Sequence, residues 1–159
     1  MTFNSKYLYK PLVNFSAPII PGVGLGDITL NTSLPLLKDW LIYNFLVDNR
    51  DNVKAEVFNG IYLNYTVSET VMIIINITDA RIEKLGCKTG YTGSFLDIKP
   101  GLEIYELIKT HNQAYIENGF ILLKDNPGIE IDIPSEYDDI DDISMLPNFT
   151  IDRIFVTTI

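Results

Sequence analysis

Hydrophobic and polar positions change period several times along this 159-residue chain. Residues 1–21 mix aromatic and polar side chains with Pro11, Pro18 and Pro21, which reads as an extended arm lying on the body rather than a helix. Turn glycines at Gly22, Gly24 and Gly26 lead into a short alternating strand over 27–30. Thr32 or Ser33 can cap a helix, and Pro35 is tolerated in its first turn. Leu34, Leu37, Trp40, Leu41 and Phe45 then give a broad apolar helical surface out to about Val47. The polar run 48–52 ends it. From Val53 the period falls to two: 53–65 alternates around Asn59-Gly60, and the β-branched run over 70–77 reads as a buried central strand. Residues 66–69 fit the turn between them. Residues 79–94, ending in Thr-Gly-Tyr-Thr-Gly-Ser, read as a connecting loop. A second helix is expected directly after Pro100, with Glu103 and Glu106 early and Lys109 and His111 at its end, signs that suit the helix dipole. Strands are expected over 120–123, 128–133 and 150–159.

Spacing suggests a duplication. Leu30–Leu34 aligns with Ile98–Leu102 at an offset of 68, and Asn59–Tyr65 aligns with Pro127–Ile133 at the same offset. The closing strands match only at an offset near 80, so the second copy carries an insertion. The expected fold is α+β: an antiparallel sheet with two helices packed on one face, built from two tandem strand-helix-strand-strand repeats. The chain then forms a single domain, 1–159, with an arm (1–21), repeat one (22–78), a connecting loop (79–94) and repeat two (95–159). The insertion occupies 134–147. Because the first copy is complete without it, it is expected to be dispensable for folding.

Composition narrows the class. Hydrophobic residues make up 47% and charged residues 21% of the chain, values of a folded domain. No apolar run reaches the ~18 residues of a membrane helix. The net charge is −9, and −8 of it lies between Asn112 and Asp142, where nine carboxylates face the single base Lys124. Such a chain repels phosphate backbones and anionic lipid, so neither nucleic acid nor membrane is an expected partner. The opening residues lack the apolar core and cleavage site of a secretory signal, and the lone Cys87 has no disulfide partner. A cytoplasmic location is expected, and the five Asn-x-Ser/Thr sequons carry no weight there.

Recognisable chemistry is sparse. The glycines at 22, 24 and 26 follow prolines and precede a strand, the context of a turn and not of a dinucleotide loop. Lys88-Thr89-Gly90 lacks the phosphate-loop spacing. The aspartates at 138–142 lack the glycine and distal glutamate of an EF-hand. Cys87, beside Lys88, has one imidazole in the chain to act as a base, His111, and reads as a passive thiol. Glu103 with Glu106, or Asp39 with Glu56, would serve acid–base catalysis only if held across a cleft. No cofactor and no enzymatic activity are expected.

The half-unit, a short strand leading into a helix and then a Gly-Ile hairpin (Gly60-Ile61, Gly128-Ile129), resembles the tandem repeat of the β-lactamase inhibitory proteins and their outer-membrane-assembly lipoprotein relatives over 22–159. In type, this small acidic motif-poor α+β chain also resembles the immunity proteins that accompany bacterial contact-dependent growth-inhibition toxins. These resemblances imply a binding protein that neutralises a basic protein partner, a toxin domain. A nuclease toxin suits that role, because its site must be cationic to hold phosphates. The expected contact is Glu136, Asp138, Asp139, Asp141 and Asp142, with Tyr137 as aromatic anchor. The alternatives are a small carboxylate-dependent hydrolase or lyase, or a structural assembly subunit; the oligomeric state is open.

Overall fold

Alternation along most of the strands builds an eight-stranded sheet with its main buried cluster on one face. The computed structural model describes residues 12–159; the part of the expected arm before Leu12 lies outside them. A small hairpin, β1 (Gly24–Leu25) and β2 (Ile28–Thr29), precedes helix α1 (Leu34–Leu46). Four strands follow in a meander: β3 (Val53–Phe58), β4 (Tyr62–Val67), β5 (Val71–Asn76) and β6 (Arg81–Cys87). Helix α2 (Ile104–Thr110) leads into β7 (Ala114–Glu117), β8 (Phe120–Leu123), β9 (Ile129–Asp132) and, after a long excursion, β10 (Ile154–Thr157). The eight-stranded antiparallel sheet has the order β3-β4-β5-β6-β10-β9-β8-β7, so the two meanders meet where β6 pairs with β10.

The register lines up one row of apolar residues across every strand: Val53, Val67, Val71, Cys87, Ile154, Ile131, Ile121 and Ile116. Seven of the eight are buried. Each buried aliphatic side chain contributes about 1.5–3 kcal/mol, and a one-residue slip would turn the whole row to solvent, so the register is strongly specified. Leu37 and Trp40 of α1 and Ile104 and Leu107 of α2 belong to the same cluster. Tyr91 pins the described part of the arm to it: its hydroxyl donates to the Ala17 carbonyl at 2.5 Å and accepts from the Gly26 N–H at 2.8 Å.

Several local expectations change. The segment 79–94 is not all loop, because Arg81–Cys87 is a seven-residue central strand. Residues 53–65 are not one strand but β3 and the start of β4, split at Asn59 and Gly60, whose φ values of 50° and 71° fold a tight hairpin. Pro100 lies four residues ahead of α2, whose N-cap is Glu103. Strand β7 carries no strong pattern and escaped the sequence reading. The equal offsets also fall on unlike strands: Asn59–Tyr65 leads into β4, the second strand of its meander, whereas Pro127–Ile133 contains β9, the third of its own.

The acidic insertion is part of the core cover. Helix α2 has seven residues against thirteen in α1, and the chain after β9 fills the difference. Two 3-10 turns, Ser135–Tyr137 and Ile143–Met145, bring Tyr137, Ile140 and Ile143 against the main cluster, and Leu146 and Ile151 are buried in it. Just beyond the insertion, backbone bonds tie the chain to the start of α2, from Ile104 N–H to the Phe149 carbonyl and from Gly101 N–H to the Ile151 carbonyl, both 2.8 Å. An insertion so packed is not a detachable loop.

Candidate functional site

Alternation sends the other half of each strand's side chains to the face away from the main buried cluster. There Met72, Ile74 and Phe155 form a second, smaller buried cluster under Phe58, Tyr62 and Phe120. Gly86 makes it possible. Phe155 stands opposite Gly86 across the β6–β10 pair, and a Cβ at that position would meet its ring at 2.8 Å. Phe58 and Tyr62 stack at 5.1 Å, and Phe120 meets Phe155 edge-on at 6.1 Å. The result is a groove of about 490 Å³ with an apolar floor and aromatic walls.

A β-bulge sets its polar groups. Pairing runs from Ile74 with Lys84 to Ile75 with Ile82, which leaves Glu83 as the extra residue on β6. Ile82 and Leu85 can then both face the core, while the consecutive Glu83 and Lys84 both line the groove. Lys84 Nζ lies 4.8 Å from the Phe120 ring centre and 5.6 Å from that of Phe155, and pairs with Glu130 at 2.8 Å. This cation sits over two aromatic faces with its counter-ion alongside. Two acceptors are left over: Asn64 Oδ1 and Glu83 Oε2 are buried without a hydrogen-bond donor, although Glu83 Oε2 lies 3.3 Å from Arg81 Nη2 outside bonding geometry. At the other end Arg153 grips one oxygen of Asp132, with Nη2 at 2.5 Å and Nε at 2.8 Å. Burial still pushes the Asp132 carboxyl above the usual range, and Asp138 and Asp152 add to the rise while Arg153 opposes it.

None of the contact residues expected from sequence lines this groove. Glu136, Asp138, Asp139, Asp141 and Asp142 are exposed on the segment after β9. Asp138 is close enough to raise the Asp132 pKa, so the acidic segment borders the groove electrostatically. Asp142 is partly committed: its carboxylate accepts from the Ser144 N–H at 3.0 Å and hydroxyl at 2.8 Å, which holds its pKa low. Tyr137 is half-buried against the core with its ring 6.2 Å from Phe149, so its ring supports the segment from beneath.

Elsewhere, Cys87 is fully buried and its thiol is pushed up to about 12 by desolvation, the state of a passive core thiol. Asp39 lies on α1 and Glu56 lines the groove on the opposite face of the sheet. Glu103 holds the N-cap position of α2 without a side-chain capping bond, and its carboxylate accepts from the Asn148 side-chain amide. Sequence reasoning missed Asn64, Glu83, Lys84, Phe120 and Phe155. The signal was present in part, as polar residues placed inside otherwise β-branched strands. No helix among the described residues is long and apolar enough to cross a membrane. Comparison with known proteins returns no matching family model, curated protein or solved structure.

Proposed function

We propose that this chain is a binding protein for a basic protein partner, which it neutralises by occupying the partner's cationic surface. Its most specific form is an immunity protein that blocks a nuclease toxin. The observation that supports this reading is an aromatic groove whose lining residues Asn64 and Glu83 each keep a buried acceptor without a hydrogen-bond donor, Glu83 Oε2 having only the ion pair with Arg81. A buried acceptor without a donor costs about 1–3 kcal/mol, which an arriving guanidinium or ammonium recovers. Arginine also stacks on aromatic walls, the arrangement Lys84 already adopts over Phe120 and Phe155. The exposed carboxylates of the acidic segment, with Asp138 near enough to act on Asp132, then speed encounter with a cationic surface. A nuclease must hold phosphates, so its active site supplies such a surface. This role belongs in the cytoplasm, where a nuclease toxin finds its substrate.

The two meanders, each preceded by a helix and joined through β6 and β10, support an ancestral duplication with both helices on the core face.

The test is calorimetry and surface-plasmon kinetics against any basic toxin domain found encoded beside this gene, with cell survival as the biological readout. Glu83→Ala and Phe120→Ala are expected to speed dissociation, and Asp138→Asn with Asp139→Asn and Asp141→Asn to slow association, most at low salt. Undiminished affinity in both sets would overturn the assignment of this face.

A further inference from the structure

The eight-stranded sheet has two unlike edges. At the β7 edge the outward-facing backbone is short, since β7 has four residues and Ala114 N–H already donates to the His111 carbonyl. At the β3 edge it is open from Ala55 onward. Ser68 N–H donates to the Asn52 carbonyl, which fixes the phase of the β3–β4 ladder: Lys54, Glu56 and Phe58 bond inward to β4, and Val53, Ala55 and Val57 point their N–H and C=O groups away from it. Asn49 Oδ1 accepts the Val53 N–H at 2.8 Å. Ala55 and Val57 have no such partner among the described residues. The strand carries no proline and no bulge, and its only edge-protecting charges are Lys54 and Glu56, which are of opposite sign. Apolar surface continues beside it: Val57 is 61% exposed, and Phe45 and Leu46, 47% and 77% exposed, line a cleft between α1 and Tyr65.

We propose that β3 pairs antiparallel with β3 of a second copy, joining two sheets into one continuous sheet around a two-fold axis at Ala55. The sequence Val53-Lys-Ala-Glu-Val57 is self-complementary in that register. Ala55 exchanges both backbone bonds with its counterpart, Val57 N–H donates to the Val53 carbonyl of the second copy while the Val53 N–H stays on Asn49, and Lys54 meets Glu56 twice, at the closer spacing of about 4.5 Å between Cα atoms. Shifting the axis to Glu56 would set glutamate against glutamate. Charge across the whole molecule agrees: −8 of the net −9 lies at 112–142, around strands β7 to β9 at the far end of the sheet, so the β3 ends approach almost without repulsion. Lys54 is held elsewhere only by an exposed pair with Glu69 at 3.2 Å, which contributes little.

The oligomeric state of the full chain decides this, measured by sedimentation over about a hundredfold concentration range. A concentration-dependent dimer is expected. Ala55→Pro should return the monomer with its melting temperature preserved, because the lost N–H faces outward. Glu56→Lys should raise the dimer Kd by about tenfold or more, and the double charge exchange of Lys54→Glu with Glu56→Lys should restore it. A monomer at every concentration overturns the proposal, as does a dimer indifferent to Ala55→Pro and to Glu56→Lys. The readout is mass and needs no partner protein, so its outcome is independent of the groove's function.

Discussion

Gly86 stands where a methyl group would strike both Met72 Cε, at 2.7 Å, and the Phe155 ring. Gly86→Ala must push the ring out of the groove floor, and is expected to lower stability by about 1–3 kcal/mol. Urea unfolding reads this as a lower midpoint at unchanged slope. The opposite sign is expected in the β4–β5 turn, where Ser68 and Glu69 hold φ values of 50° and 56° without being glycine. Glu69→Gly should relieve left-handed strain and raise stability by about 1 kcal/mol, whereas Ser68 is tied by its hydroxyl to the Asp51 carbonyl. Asp132 has a pKa above its ordinary 3.8, so the folded state holds that proton more tightly than the unfolded chain does. Its contribution to stability therefore declines as pH rises through the interval between 3.8 and the raised value. Arg153→Ala removes the opposing cation and should move the Asp132 titration further up, as followed by carbon NMR of the carboxylate. A downward shift would contradict the assignment.

Elements of the same kind do different work in the two halves. Thirteen-residue α1 joins the main cluster through Leu37 and Trp40, with Leu34 and Leu41 packed against it, whereas seven-residue α2 adds Ile104 and Leu107 and is supplemented there by the acidic segment. Tyr137→Ala should therefore destabilise the fold by about 2 kcal/mol, while exchanging Asp138, Asp139 and Asp141 for asparagine leaves the melting midpoint nearly unchanged. Thermal unfolding of the two variants separates a packed ring from solvated charges. Strand β5 was legible from its β-branched run and α1 from its cap, proline and apolar stripe. Strand β6 was not. Its bulge breaks the alternation, and Arg-Ile-Glu-Lys-Leu-Gly-Cys has no clean period until Ile82 and Leu85 are both required to face the core.

Across the whole molecule, the apolar row from Val53 to Ile116 passes without interruption through the β6–β10 joint. The two halves should unfold together, so Trp40 fluorescence, reporting the first half, and far-ultraviolet circular dichroism, reporting both, are expected to give coincident transitions. Separate midpoints would mean two units. Sequence alone determined the α+β class, the apolar and polar faces of the clear strands, the first helix nearly to the residue, and the concentration of charge after Asn112. These are properties of neighbours along the chain, where periods of 3.6 and 2 and turn chemistry act. The strand order, the bulge at Glu83 and the groove were decided by tertiary structure. Alternation says which face a residue takes but not which strand lies beside it. Asn64, Glu83 and Phe155 come together only because β4, β5, β6 and β10 are consecutive in the sheet. The acidic segment shows the same division: its charge was plain in the sequence, while its role as cover depended on how short α2 turned out to be.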